Sequence, residues 1–229
     1  AMSTVENDYE VTLDDEKEEI NEGLNPAISE AIDMEIAELR MYQEQAKAIV
    51  NETKAKQLLV ALEKTFHKNE MLGAPKKALI FTESRSTQEY LKYFLQNNGY
   101  QGKVVCFNGS NNDDDSKSIY RKWLSLYAGS KRISGRTIID RKQALVDHFR
   151  TDAEIMIATE SGAEGINLQF CSLLVNYDMP WNPQRIEQRI GRCHRYGQKF
   201  DVVVVNFVNQ LNYADCRVYE LLNDKFNLF

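Results

Sequence analysis

Long apolar runs are missing from this chain. No stretch approaches the roughly 20 consecutive apolar residues that a membrane span needs, and the acidic N-terminus does not read as a secretory signal. Cysteine is sparse: Cys106, Cys171, Cys193 and Cys216 form no C-x-x-C pair, which argues for reduced thiols and against a zinc site or a disulfide framework. His67, His148 and His194 lie too far apart in sequence to suggest a ligand cluster, so no metal site is expected. The net charge of −6 is unevenly spread. Residues 1–30 hold ten acids and one base, and the remainder carries a net +3, so the total says little about what the folded part binds.

What is present falls into three parts. Residues 1–25 read as a flexible acidic leader. Residues 26–74 read as a helical hairpin packed on the rest. Ile28, Ile32, Ile36 and Leu39 line one helix, and Leu58, Leu59, Leu62 and Phe66 line a second, which Gly73-Ala74-Pro75 ends. From residue 75 to 229 the texture changes. Five short apolar runs (78–81, 103–107, 154–158, 173–177 and 202–207) alternate with amphipathic stretches at 87–97, 141–150, 183–196 and 213–223. The runs are continuous rather than alternating, as in strands buried on both faces, so an α/β fold with a mainly parallel sheet in three α/β/α layers is expected. Residues 108–140 read as an insertion, helical around 118–127 and otherwise mobile.

Chemistry concentrates at the carboxyl ends of these runs. In NYDMPWNPQRIEQRIGRCHRYGQ (176–198), Asn182 caps a helix and Pro183 suits its first turn. At 100° per residue, Gln188, Arg192 and Arg195 fall within about 60° of one another, and Ile186, Ile190 and Cys193 fall opposite. An amide and two guanidiniums side by side suit an anion with several oxygens. In IATESGAEGINLQ (157–169), Thr159 and Ser161 follow a strand, and Gly162 and Gly165 permit close backbone approach. In ALIFTESRSTQEYL (78–91), Ser84, Arg85 and Thr87 occupy a strand-to-helix turn, and Asn108-Gly109 occupies another.

Together these strings resemble motifs VI, V and IV of superfamily 2 helicases. The H-R-x-G-Q ending, the Tyr177–Pro183 lead-in, and an Arg141-x7-Phe149 spacing resemble the Swi/Snf-type group, and the tail resembles RapA-like bacterial members. The resemblance implies the C-terminal RecA-like lobe of a DNA-dependent ATP motor. In that setting Arg192 and Arg195 would be arginine fingers aided by Gln188, and Gly165 and Asn167 would lie near ATP. Ser84, Arg85, Asn108, Gly109, Thr159 and Ser161 would contact the nucleic-acid backbone. Many families carry aspartate where Asn167 stands, which weakens the inference of a ribose contact.

The chain has no G-x-x-x-x-G-K-[ST] loop and no acidic pair placed to hold magnesium. Those parts belong to an N-terminal lobe, which becomes an expected partner alongside DNA. ATP with Mg²⁺ is then expected in the full-length protein, with no nucleotide held tightly by this piece alone. The resemblance implies a bacterial cytoplasmic setting, nucleoid-associated when on DNA. The competing reading is a non-catalytic RecA-like interaction module.

Overall fold

A computed structural model describes residues 26–47, 53–163 and 165–226. The expected acidic leader lies outside the described residues. The chain divides into two compact units, residues 1–52 and 53–229. In the first, α1 (Pro26–Lys47) exposes Ile28, Ile32, Ile36 and Leu39, the apolar stripe read from its spacing. The division falls between the two predicted helices. α2 (Thr53–Met71) belongs with the sheet because Leu58, Leu62 and Phe66 are buried against it.

The second unit alternates strand and helix: β1 (Ala78–Thr82), α3 (Arg85–Leu95), β2 (Val104–Phe107), α4 (Asp114–Leu126), α5 (Thr137–Thr151), β3 (Ile155–Thr159), α6 (Glu160–Ala163), β4 (Leu173–Asn176), α7 (Pro183–Cys193), β5 (Val203–Asn206) and α8 (Tyr213–Phe226). All five strands stand where the apolar runs place them. They form one parallel sheet in the order β2-β3-β1-β4-β5. Alternate residues feed two cores. Leu79 and Phe81 of β1 join Leu145 and Phe149 of α5, while Ala78 and Ile80 join Leu62 of α2 and Leu91 of α3. Apolar demand on both faces is why the strands read as unbroken runs.

Two helix starts differ from the sequence reading by about a turn. α5 starts at Thr137, a turn before Arg141, because the Asp140 carboxylate accepts from Ser134 N, Ser134 Oγ and Gly135 N and so organises the turn just ahead of the helix. α4 starts at Asp114 on an Asp113 cap. The stretch 108–140 is therefore built into the α/β layer rather than looped out. Trp123 is buried against α5 and its Nε1 donates to Asp147 Oδ2 at 2.8 Å. Among the described residues no helix is long and apolar enough to cross a membrane.

Candidate nucleotide and nucleic-acid site

Parallel register aligns the carboxyl ends of the strands, with Thr82 beside Thr159 and Phe107 beside Ala158. The turns after β1, β3 and β2 therefore meet along one rim, where open α/β sheets bind ligands. Ser84 ends its turn by accepting from Thr87 N at 3.0 Å, which caps α3. Arg85 reaches across to Ser110 Oγ at 3.0 Å, tying the first turn to the turn after β2. A Cβ on Gly109 would lie 3.2 Å from Ser161 Oγ, so the third turn abuts the second. The six residues expected to touch nucleic acid are thus gathered on one rim.

They are not equally available. Ser84, Arg85, Gly109 and Ser161 are exposed. Asn108 is buried, and its side chain is spent on the turn: Oδ1 accepts from Asn111 N at 2.7 Å and Nδ2 donates to Gln88 Oε1 at 3.2 Å. Its contribution is to shape the turn that presents Gly109 and Ser110. Thr159 is only 6% exposed, and among the described residues its Oγ1 has no hydrogen-bond partner. Gly162 answers a close approach. A Cβ there would sit 2.7 Å from Asn108 Cα and 2.8 Å from Phe107 O, so any side chain would push α6 off β2.

The second cluster is built on α7. Asn182 Oδ1 accepts from Gln184 N at 3.0 Å, with Pro183 in the first turn, as the sequence suggested. Ile186 is buried with Val218 and Leu222 of α8, Ile190 packs beside them, and Cys193 enters the core under the sheet. Gln188 and Arg192, four residues apart, share the opposite face. Arg195 does not extend that face. The helix ends at Cys193, because His194 takes an extended backbone conformation (ψ 93°) and Gly197 turns with φ +102°, a region that favours glycine. Arg195 instead leaves from the exposed turn that follows.

Gln198 holds that turn. Its Nε2 donates to Cys171 O and Cys193 O, both at 3.1 Å, and its Oε1 accepts from Lys199 N and Phe200 N. The loop carrying Gly165 and Asn167 is bound to the same place, with Leu168 N donating to Arg192 O at 3.0 Å and Gln169 Nε2 to Tyr196 O at 2.8 Å. Gly165 and Asn167 are exposed, and Asn167 lines a cleft of about 550 Å³ with Arg150, Gln169, Phe170, Gly197 and Gln198.

Among the described residues, no hydrogen bond or ion pair engages the side chains of Gln188, Arg192 or Arg195. Arg189 is the opposite case. It is 2% exposed, its Nε and Nη2 donate to Glu160 Oε2 at 2.9 and 2.6 Å, and its Nη1 donates to Asn176 Oδ1 and Asp178 O. The guanidinium also lies 4.7 Å from the Phe81 ring. Sequence reasoning passed over Arg189, Glu160 and Gln198. The signal for Arg189 was its spacing: three residues after Ile186 and four before Cys193, it is a charge on the apolar face. Trp181, 75% exposed just before the Asn182 cap, was also passed over.

Comparison with known proteins bears on the family and the fold. The family described as "Helicase conserved C-terminal domain" matches residues 54–197. The chain belongs to that family. It is 42% identical over 153 residues to an uncharacterized ATP-dependent helicase, YqhH, of Bacillus subtilis, covering 67% of this chain and 22% of that protein. It is 32% identical over 137 residues to helicase Swr1 of Saccharomyces cerevisiae, covering 58% of this chain and 7% of that protein. This chain therefore spans about a fifth or less of these relatives' length. In fold it is similar to the C-terminal part of the Fun30 ATPase domain, with a TM-score of 0.51 at 21% identity over 90% of this chain and 60% of that one.

Proposed function

We propose that this chain is the C-terminal RecA-like lobe of an ATP-driven, Swi/Snf-type DNA translocase. In this reading it presents Arg192 and Arg195 to the γ-phosphate of ATP held mainly by an N-terminal RecA-like lobe. The observation that carries the reading is the contrast within one segment. Arg189 spends its guanidinium inside the fold, while among the described residues Arg192 and Arg195 spend theirs on no partner, and the Arg192 carbonyl ties α7 to the loop of Gly165 and Asn167 through Leu168 N. A free guanidinium on a rigid helix end suits the charge that develops in phosphoryl transfer, and such arginines contribute on the order of 10³–10⁵ in rate. Gln188 shares the Arg192 face and would orient the attacking water or a phosphate oxygen. Asn167 would accept from the ribose.

The described residues hold no group of three or more His, Cys, Asp or Glu able to bind a metal ion, so Mg²⁺ would be carried with ATP by the other lobe. The rim of Ser84, Arg85, Gly109, Ser110 and Ser161 offers hydroxyls, backbone and one guanidinium. Such groups grip phosphates without reading sequence, as translocation along a DNA strand requires. In the same reading the parent protein would work in the bacterial cytoplasm, at the nucleoid when on DNA.

The test is ATPase activity with and without DNA, on the full-length protein and on this piece, alongside Arg192→Ala and Arg195→Ala. The expected result is a silent piece, a DNA-stimulated parent, and variants that bind ATP but lose turnover by about 10³-fold or more. Variants that turn over like the parent would reassign the two arginines to an ordinary solvated surface.

A further inference from the structure

Resting on the reading above, we infer that the Arg189–Glu160 pair is the joint that couples nucleotide occupancy on α7 to the grip on nucleic acid at the rim. Three observations carry this. First, the pair joins the two sites through adjacent residues. Arg189 is one turn from Arg192 on α7, and Glu160 stands between Thr159 and Ser161 on the rim. Second, the joint is stiff. Arg189 uses four of the five N–H donors of a guanidinium, on Glu160, Asn176 and Asp178, and is sandwiched against Phe81. Third, it branches. Asp178 accepts from Arg189 at its backbone carbonyl and from Thr82 Oγ1 at 2.7 Å and Glu83 N at 3.1 Å at its carboxylate, so this one residue links the guanidinium to the turn that holds Ser84 and Arg85.

Stability is a weak reason for such an arrangement, since apolar replacements of buried ion pairs often fold as well or better. The placement is specific to communication. A displacement of α7 as Arg192 engages a phosphate must move Glu160, or break an ion pair whose arginine side is buried. Arg189 and Glu160 act here as positioning residues, touching neither ligand themselves.

The test uses the full-length protein and reads ATP turnover across a DNA titration, DNA affinity by anisotropy, and thermal melting. Glu160→Gln removes the charge and keeps the shape, and Arg189→Lys keeps the charge and loses the fork. The expected result for either is DNA affinity and DNA-free turnover close to wild type, with stimulation by DNA reduced about 5- to 150-fold, the range of typical coupling between sites. Wild-type stimulation in both variants overturns the inference. So does a loss of DNA-free turnover and melting temperature that matches the loss of stimulation, because it marks a packing role alone. If Glu160→Gln does not fold, Arg189→Lys carries the same reading. A wild-type protein that DNA does not stimulate fails before any variant is made, and that result strikes the translocase reading itself.

Discussion

At the scale of single residues, Thr159 and Arg189 show two ways of burying a polar group. Arg189 is surrounded by acceptors; among the described residues the Thr159 hydroxyl has no partner. A buried polar group left without its hydrogen bond costs about 1–3 kcal/mol. Such groups call for an explanation, and a ligand that completes the bond at the rim is one. Thr159→Val is therefore expected to raise folding stability by about 1 kcal/mol while weakening nucleic-acid binding by the full-length protein. Urea melts and a binding titration would check both, and unchanged stability would mean that the hydroxyl is satisfied in solution. Arg192 and Arg195 could be picked out of the sequence because motif and helical spacing both pointed at them. For Arg189 the spacing showed only a charge on the apolar face; its partners Glu160, Asn176 and Asp178 lie on other elements and meet it only after folding.

At the scale of elements, the strands were legible because burial on two faces writes an unmistakable run of apolar residues. Helix ends were less so. The wheel that grouped Gln188, Arg192 and Arg195 assumed a helix through Tyr196, but termination at Cys193 depends on Gln198, which reaches back to two carbonyls that no local pattern reveals. Gln198→Ala deletes four hydrogen bonds and leaves Cys171 O and Cys193 O without that donor. A loss of about 1–3 kcal/mol is expected in denaturant melts, with ATP turnover by the full-length protein falling more than its ATP affinity, since Arg195 rides on that turn. Equal falls in turnover and affinity would argue that the turn merely packs. In residues 108–140 the helix expected around 118–127 is there as α4, but it begins earlier because Asp113 and Asp140 organise the starts of α4 and α5.

At the scale of the whole molecule, acid should loosen the fold in two windows. Burial holds the His148 imidazole below its ordinary value, with Asp152 opposing only in part. The unfolded chain then binds a proton that the native one resists, and stability declines as pH falls from about 6.5. Asp178 is half-buried, which opposes ionisation, but hydrogen bonds from Thr82, Lys54 and Glu83 outweigh this and hold its carboxyl below the usual range. Its contribution is complete above about pH 3.9 and is lost as pH drops further. Denaturant melts across pH 3–8 should show both slopes, with the lower one shallower in Asp178→Asn; an unchanged lower slope would assign acid unfolding to other carboxylates. The same aspartate fastens one end of α2. Lys54 in the first turn bonds Asp178 beyond the end of β4, and Asn69 in the last turn bonds Ser172 ahead of its start. A helix of 19 residues measures about 28 Å, so α2 is a crossbeam bolted at both margins of the sheet. On the translocase proposal, such a brace would make this lobe one stiff jaw of a vice. In a working motor the compliance, and with it the length of each step, would reside in the hinge between jaws rather than in the jaw itself.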